Sequence, residues 1–385
     1  MFSDIPPTSD LVIRPLAYRD VDVVEQWLSQ QGVHDHPFDH PSLLPQAMTT
    51  PLQRLQWLTG TAKERIYVAE RGDQLMGVVQ VAPFNENRTT WQVQQLAAQD
   101  FTEVGTQLLR HCFSTILEAR TWMLEINIEH QEALALYRQN GFQPLAQLTY
   151  WQISCPQLAQ LAQQTPSLPN LLKVTNADAT LLCQLDTASM PALVRQVFDR
   201  HSHDFKKSLG EWLQDSIGAW TGQARAQRAY VFEPQRKAAI AAYTLYASQD
   251  GRSPHWLELT VHPAYTWLYP ELLAHLARLL QPYDPVPLVL ASTDYQPERE
   301  AYLEQWADPI RHSLMMSRSV WHKVREVRSS LPDGLTLSEV LQGLQTHHRP
   351  QPGRISTEEG MSVYHNRPKT ADFRKGMKPE GWYEP

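Results

Sequence analysis

Cysteine is scarce in this 385-residue chain, and its scarcity excludes two kinds of stabilisation. Cys112, Cys155 and Cys183 stand at spacings that suit neither a zinc site nor a framework of disulfides. Cys112 and Cys183 fall within apolar helical patterns, which is typical of inert buried thiols. The sequence therefore predicts neither a metal site nor a disulfide framework.

Long apolar runs and basic stripes are also missing. No apolar stretch approaches the roughly 18 residues of a membrane span, and the first residues lack the basic-then-apolar pattern of a signal peptide. The formal net charge of -7 argues against general nucleic-acid binding, because no basic surface would offset the phosphate charge. We expect a cytoplasmic protein with no membrane insertion and no nucleic-acid partner.

The length predicts two domains with additional segments, and a hydrophobic content of 42% is enough for two cores. Pro156, Pro166, Pro169 and several glutamines predict a linker. After residue 326 the chain becomes poor in aliphatic residues and rich in proline, glycine and charge. The predicted division is a domain at 1–155, a linker at 156–170, a second domain at 171–325, and a short helix with a tail at 326–385.

In the first domain, hydrophobic periodicity and turn residues predict an alternation of strands and helices. The predicted strands are 11–16, 65–70, 75–83, 91–98, 122–128, one that starts at residue 142, and 150–153. The predicted helices begin at Asp20 and at Thr50, cover 102–120, and include one that carries Tyr137.

The second domain is predicted to repeat the same order without sequence similarity. Its predicted strands are 171–174, 228–232, 238–247, 256–261, 286–292 and 314–324. Its predicted helices are 177–187, 191–200, 209–217, 268–280 and 298–306. A further short helix is predicted at 335–344.

The most informative stretch is 126–144, which contains Leu-Tyr-Arg-Gln-Asn-Gly-Phe. Ala133, Leu136 and Tyr137 recur at i, i+3 and i+4 on one helical face, and Gly141 stands where a left-handed helix end is needed. Phe142 then resumes an apolar run. This stretch resembles the second acyl-CoA motif of the GNAT superfamily of acyl-CoA-dependent N-acyltransferases, in which a helix ends in Leu-Tyr-x-x-x-Gly-Phe. His130 stands where that family usually has asparagine.

The resemblance implies an α/β (α+β) fold of two GNAT-like domains, each a mixed, mainly antiparallel sheet flanked by helices, followed by an extended C-terminal tail. It implies that acetyl-CoA lies between the strands 91–98 and 122–128 and that its acetyl group passes directly to an amine or protein acceptor. Tyr137 would be the catalytic acid that protonates the CoA thiolate, a role that suits a phenol with an ordinary pKa of about 10. The residues that would contact acetyl-CoA are Ala97, Ala98, Val104, Gly105, Thr106, Asn127, His130 and Ala133.

The predicted pyrophosphate loop departs from the pattern of the family. A helix N-terminus attracts phosphate through its free N–H groups, and the family exposes those groups in a Gln/Arg-x-x-Gly-x-Gly/Ala turn. Gly105 matches the last position, but Asp100 replaces the Gln or Arg and Glu103 replaces the first glycine. Two carboxylates repel pyrophosphate, so an ordinary helix with an acidic first turn also explains these residues.

No general base is evident in the sequence. The strand 91–98 carries no carboxylate, and Gln92, Gln94 and Gln95 can hydrogen-bond an acyl group but cannot accept a proton. The simpler interpretation of these glutamines is a solvated face of the sheet, and a water chain or an already neutral amine could replace a base.

Three histidines, His34, His36 and His40, lie between the first two predicted helices. We rank a solvated loop first, an acceptor-binding loop second and a metal site third, because Pro37 and Pro41 make the segment a loop and the resembling family does not depend on metals.

The second domain lacks the equivalent signals. The approach to its 268–280 helix holds three aromatic residues and no glycine, and Leu303 stands at the position of Tyr137. In the tail, Phe373, Met377, Trp382 and Tyr383 are isolated apolar residues among basic ones. They suit equally a tail without structure and a docking peptide that folds on a partner or back onto the chain's own domains. The alternative function is therefore a non-catalytic GNAT-fold scaffold or regulatory protein that docks a protein partner through its second domain and residues 346–385.

Overall fold

The computed structural model describes residues 10–31, 64–206, 225–249 and 251–320, all within one compact unit, Met1–Lys323. The strands are β1 Leu11–Pro15, β2 Arg65–Arg71, β3 Gln74–Pro83, β4 Thr90–Ala98, β5 Thr121–Asn127, β6 Gln143–Ile153, β7 Leu171–Lys173, β8 Arg225–Glu233, β9 Ala238–Ala247, β10 His255–Val261, β11 Leu288–Thr293 and β12 Asp308–Ser319. The helices are α1 Val21–Gln31, α2 Thr106–Thr115, α3 Gln131–Gln139, α4 Cys155–Gln163, α5 Ala179–Ser189, α6 Ala192–Phe198, α7 Leu268–Leu280 and α8 Pro297–Leu303.

The predicted mixed, mainly antiparallel sheet flanked by helices is confirmed. All twelve strands lie in a single sheet of order β1-β2-β3-β4-β5-β12-β6-β11-β10-β9-β8-β7. Within the described residues, only the pairs β4–β5 and β10–β11 are parallel. In each half the parallel pair joins the fourth and the fifth strand in chain order, and the first three strands lead to the outer edge of the sheet. This correspondence supports the predicted repeat.

The two halves share this sheet because they exchange their last strands. β12, from the second half, lies between β5 and β6 of the first and pairs antiparallel with both. β6 in turn pairs antiparallel with β11 of the second half. A sheet in each domain was predicted, and the structure adds that the two sheets are continuous. The boundary at 156–170 stays a prediction.

Each hydrophobic core contains side chains from the other half. The first core surrounds the fully buried Trp91 and Trp122 and includes Leu314 and Met316 of β12. The second core surrounds α7 and includes Trp151 and Ile153 of β6. Neither half can therefore complete its core without a strand that the sequence places in the other half.

Several predicted boundaries differ from the structure. The strands expected at residue 142 and at 150–153 form one strand, β6. The helix expected at 102–120 ends at Thr115, because the chain turns there to bury Ile116 and Ala119 in the first core. The predicted linker contains most of α4, whose Leu158 and Leu161 pack into the second core.

The hairpin between β3 and β4 is attached to the segment after α6. The Asn85 side-chain amide donates to the Asp199 carbonyl at 3.0 Å, and the Thr89 hydroxyl donates to the Asp199 carboxylate at 2.6 Å. The Thr90 hydroxyl donates to the Val197 carbonyl at 2.7 Å. These bonds, which are partly or fully buried, fix this hairpin of the first half against the second half.

Some predictions lie outside the described residues. They are the helices at Thr50, 209–217 and 335–344, the histidines His34, His36 and His40, and the tail at 346–385. Among the helices that the structure describes, none combines the length and the apolar character that a membrane crossing needs.

The exchange of strands predicts that the halves fold together. Residues 1–163 alone would leave the facing edges of β5 and β6 unpaired, and exposed strand edges of this kind aggregate. We expect this fragment to be insoluble, and co-expression of residues 164–323 to restore a soluble 1:1 complex in size-exclusion chromatography. Residues 1–323 as a single chain serve as the control and should unfold cooperatively. A soluble, cooperatively folded 1–163 fragment would contradict the exchange.

Candidate active site

A gap between β4 and β5 forms the centre of the candidate site. The two parallel strands pair at Thr90–Thr121, Trp91–Trp122 and Gln92–Met123, and no pairing between them follows. β4 continues to Ala98 along β3, whereas β5 continues to Asn127 along β12. Each strand is thus held by its outer neighbour, and the sheet opens beyond Gln92.

A β-bulge in β4 lies at this opening. The ladder with β3 pairs Gln80 with Gln95 and Val81 with Val93, which leaves Gln94 as an additional residue. Bulges bend a strand and increase its twist, so the bulge directs β4 away from β5. The side-chain oxygen of Gln94 is buried and finds no hydrogen-bond partner among the described residues. A buried acceptor without a donor is costly, which favours a ligand that donates a hydrogen bond here.

The predicted helix N-terminus follows β4, at the end of the gap. A π-helical turn, Phe101–Gly105, precedes α2, and the amides of Val104 and Gly105 both donate to the Asp100 carbonyl at 3.0 and 3.1 Å. The Glu103 amide donates to the Asp100 carboxylate at 2.9 Å. The Glu103 carboxylate forms an ion pair with Arg71 at 2.7 Å. The chain's own carboxylate thus occupies the turn where a pyrophosphate was predicted.

Gly105 packs closely against α3. A Cβ atom at this position would lie 3.0 Å from Leu136 Cδ2 of α3, which is closer than ordinary van der Waals contact. Gly105 is buried, so it lets α2 and α3 approach each other. Gly105 therefore contributes to the packing of α2 against α3. Its predicted contact with the cofactor stays a prediction.

The other residues predicted to contact acetyl-CoA take different places around the gap. Ala97 and Ala98 end β4, and Thr106 begins α2, where its hydroxyl accepts from Asn140 at 3.0 Å. Asn127 ends β5 and its side chain accepts the Glu129 amide at 3.0 Å, while His130 precedes α3. Val104 and Ala133 lie in the first core. The structure brings this set to one end of the gap, and their contact with a cofactor stays a prediction.

Tyr137 lies on α3, on the face of the sheet that carries the first core. Its ring meets Phe142 edge to face with centroids 5.6 Å apart, and the residue is 6% exposed. Gly141 ends the helix with φ +81°, and the Phe142 amide donates to the Tyr137 carbonyl at 3.0 Å. The predicted left-handed helix end is therefore confirmed.

The exchanged strand supports this helix end. The Arg318 guanidinium of β12 donates to the Asn140 carbonyl and stacks on Phe113 at 4.3 Å from the ring centroid. The position of Tyr137 thus depends on a residue of the second half.

A carboxylate that the sequence analysis missed lies on the opposite face of the sheet. Glu125 stands on β5 two residues beyond the last pair with β4, and it accepts a hydrogen bond from the Tyr150 hydroxyl at 2.6 Å. Burial raises the pKa of Glu125, and the hydrogen bond from Tyr150 and the charge of Arg311 lower it only in part. The Tyr150 phenol has a pKa raised by burial and by the adjacent carboxylate.

Alternation along β5 separates Glu125 from Tyr137. Leu124 and Ile126 belong to the first core with Tyr137, whereas Met123 belongs to the cluster that contains Tyr150. The gap beyond Gln92 connects these two faces. A signal for Glu125 was present in the sequence, since it is the single charge in the apolar run Trp-Met-Leu-Glu-Ile.

The corresponding opening of the second half contains a buried arginine. β10 and β11 pair only at His255–Leu288, Trp256–Val289 and Leu257–Leu290, and the β9–β10 ladder has no bulge. Arg299 of α8 is 6% exposed and donates to the Leu259 carbonyl of β10 at 3.0 Å. A side chain of the protein thus bonds to the backbone of β10 beyond its last pair with β11.

Comparisons with known proteins identify the fold. No protein-family model matches the chain. No curated protein matches it in sequence. Among solved structures, a tandem GNAT protein from the clavulanic acid biosynthesis pathway matches with a TM-score of 0.51 and 15% identity, over 80% of this chain and 98% of that chain. This likeness and the shared sheet show that the chain has the GNAT-superfamily fold in a tandem arrangement.

Two further structures match more weakly. A GCN5-related N-acetyltransferase from Sphaerobacter thermophilus has a TM-score of 0.47 and 12% identity, over 80% of this chain and 95% of that chain. A spermidine N-acetyltransferase from Vibrio cholerae, solved with CoA and spermine, has a TM-score of 0.30 and 20% identity, over 37% of this chain and 85% of that chain. Neither likeness is strong enough to add to the conclusion on the fold.

The position of Asp100 predicts the effect of Asp100→Asn on CoA. Asparagine keeps an oxygen that accepts the Glu103 amide but removes the negative charge, so folding stability should be unchanged. CoA affinity measured by calorimetry should rise by roughly fivefold, because one repulsive charge near the pyrophosphate is lost. Asp73→Asn, in the exposed turn between β2 and β3, should leave the affinity unchanged. Equal affinities of all three proteins would show that the pyrophosphate does not approach this turn.

The raised pKa of Glu125 predicts a pH-dependent cost in stability. A folded-state pKa above the ordinary 4.5 means that stability is fully present below that value and falls as pH rises through the folded-state pKa. Glu125→Gln should therefore unfold at a higher urea concentration than the native protein at neutral pH, and the difference should vanish near about pH 4. Glu132→Gln, an exposed change on α3, is the control. If the two proteins differ by the same urea concentration at both pH values, the ionisation of Glu125 is not the cause of the difference in stability.

Proposed function

We propose that this protein is an acyl-CoA-dependent N-acyltransferase that moves an acetyl group from acetyl-CoA to an amine in the cytoplasm. The observation that carries the proposal is the arrangement at the gap between β4 and β5. A partly desolvated carboxylate, Glu125, lies on one face, and a phenol, Tyr137, lies on the other. A thioester that enters such a gap can be reached from both faces of the sheet, so that a base can act on the attacking amine and an acid on the departing thiolate.

Glu125 supplies the base that the strand 91–98 lacks. A carboxylate with a raised pKa accepts a proton from an ammonium group more readily than an ordinary one, and the Tyr150 hydroxyl fixes its orientation. With the proton on Glu125, the amine nitrogen attacks the thioester carbonyl carbon. The C–N bond forms, the C–S bond breaks, and Tyr137 gives its proton to the departing thiolate. The second proton of the attacking nitrogen is then released and restores the Tyr137 phenol, so that a neutral amide and free CoA remain.

Gln94 is placed to orient the donor. Its buried side-chain oxygen has no donor among the described residues, and the pantetheine arm of CoA carries amide N–H groups that could supply one. The predicted contacts at Ala97, Ala98, Thr106 and Asn127 surround the same end of the gap. We therefore place the pantetheine along β4, with Gln94 as an additional contact residue.

Asp100 limits the affinity for CoA. A pyrophosphate that used the Glu103 amide would have to displace the Asp100 carboxylate and would approach Glu103 as well. We infer that CoA binds this protein more weakly than a loop with free amides would allow.

The Glu103 amide is already bonded to the Asp100 carboxylate, which also favours a second function, a GNAT-fold scaffold that has lost acyl transfer. On this hypothesis the protein docks a partner through its second half and through residues 346–385, which lie outside the described residues. Failure of CoA to bind both the native protein and Asp100→Asn at millimolar concentration would favour this function over the enzyme.

The roles of acid and base predict separate kinetic effects. With an amine such as spermidine or lysine as acceptor, Tyr137→Phe should lower kcat by roughly 10²-fold and leave CoA affinity unchanged, since the phenol acts on the leaving thiolate. Glu125→Gln should lower kcat/KM by about 10²–10⁴-fold at neutral pH. Thioester cleavage can be followed by the release of free thiol.

Tyr67→Phe is the matched control, because Tyr67 is also a buried phenol of the first core. It should retain native turnover. If Tyr137→Phe and Tyr67→Phe turn over equally fast, Tyr137 is not the acid.

A further inference from the structure

A second cleft lies away from the gap between β4 and β5. It encloses about 420 Å³, and its lining includes Phe84, Arg200, Phe205, Arg228 and Glu258. The hairpin that forms one wall precedes β4, whereas the gap opens towards the other end of that strand, at Ala98. The cleft is therefore distinct from the candidate active site. Glu258 stands one residue beyond the last pair of β10 with β11, so the cleft lies where these two strands separate.

A row of three residues across neighbouring strands forms the floor of the cleft. Arg228 of β8 stands opposite Thr244 of β9, and Thr244 stands opposite Glu258 of β10. Neighbouring strands are about 4.8 Å apart, so the backbones at Arg228 and Glu258 are separated by roughly 10 Å. Among the described residues, neither side chain has an ion-pair partner within 4.0 Å. The cleft thus holds a cation and an anion that do not neutralise each other directly.

Glu258 is exposed and lines the cleft. Desolvation by the cleft walls raises its pKa, and the charges of Arg200 and Arg228 and the neighbouring Thr244 oppose the rise. A carboxylate in this position gains from a ligand that brings a positive charge, because the protein compensates its charge incompletely.

Arg200 is held in place by its neighbours. Its guanidinium carbon lies 4.7 Å from the Phe84 ring centroid and 6.0 Å from that of Phe205, and one nitrogen lies 3.3 Å from the Asp186 carboxylate. The two rings add an apolar wall to the cleft. The wall therefore combines fixed positive charge with a surface that suits a hydrocarbon side chain.

We propose that this cleft binds a small zwitterion, an α-amino acid, with its carboxylate towards Arg228 and its ammonium group towards Glu258. The lining carries three arginines (Arg88, Arg200 and Arg228) and three carboxylates (Glu86, Asp204 and Glu258), so a ligand with both charges fits it better than a simple anion or a simple cation. The volume of the cleft is within the range of small-molecule sites. The proposed binding does not depend on acyl transfer in the first half.

The test measures binding to the full-length protein without reference to activity. The standard amino acids are screened one by one at millimolar concentration by thermal shift, and the best binder is titrated by calorimetry beside its decarboxylated amine and its deaminated acid. We expect the amino acid to bind at least about tenfold more tightly than either analogue, since each analogue leaves one charge of the row unmatched.

Charge-removing variants identify the site. Glu258→Gln and Arg228→Gln should each weaken binding of the amino acid by about tenfold or more. Glu258→Gln should not weaken binding of the deaminated acid, and Arg228→Gln should not weaken binding of the amine. Glu258→Asp keeps the charge and should retain most of the affinity. The exposed changes Glu304→Gln and Arg120→Gln are the matched controls.

Three results would overturn the proposal. They are no binding of any amino acid in the screen, an analogue that binds as tightly as the amino acid, and an affinity that both charge-removing variants leave unchanged. Because none of these measurements uses acetyl-CoA, failure of this proposal is distinguishable from failure of the acyltransferase proposal.

Discussion

The pairing of β12 with β5 on one side and β6 on the other is the constraint on which the rest of this structure depends. This strand completes the first core with Leu314 and Met316, and through Arg318 it holds the end of the helix that carries Tyr137. β12 pairs with the whole length of β5 and holds that strand on one side of the gap, while the bulge at Gln94 bends β4 away on the other. The gap that forms the candidate active site thus depends on the exchanged strand and on the bulge together.

Electrostatics differ between the two openings of the sheet. In the first half, the helix turn after β4 is capped by Asp100, and a carboxylate, Glu125, lies beside the gap. In the second half, the guanidinium of Arg299 donates to the Leu259 carbonyl, which lies beyond the last pair of β10 with β11. Burying an arginine is costly unless it is hydrogen-bonded, so its bond to the carbonyl stabilises a closed arrangement. With the same topology, the first half thus has a gap between β4 and β5, whereas in the second half the Arg299 side chain lies at the opening between β10 and β11.

Most helices and strands could be predicted because they are periodic and end in recognisable residues, whereas their assembly into the fold was implied by the resemblance to the GNAT superfamily. Gly141 and Phe142 marked a helix end that the structure confirms, and most strands appear within a few residues of their predicted positions. The role proposed for Glu125 was not predicted, because a single charge in an apolar strand does not by itself reveal the Tyr150 hydroxyl beside it. The cleft of Arg228 and Glu258 was missed for a similar reason, since its residues come from three strands and a distant hairpin.

What the sequence by itself determined is the local structure: the amphipathic helices, the strands, the glycine helix end and the acidic turn at Asp100. These depend on periodicity and on contacts between residues a few positions apart, so they can be read along the chain. Only the tertiary structure decided that the halves share one sheet, that Gly105 serves packing, and that Glu125 and Tyr137 flank one gap. Each of these depends on contacts between segments that are distant in the chain, which no local pattern encodes.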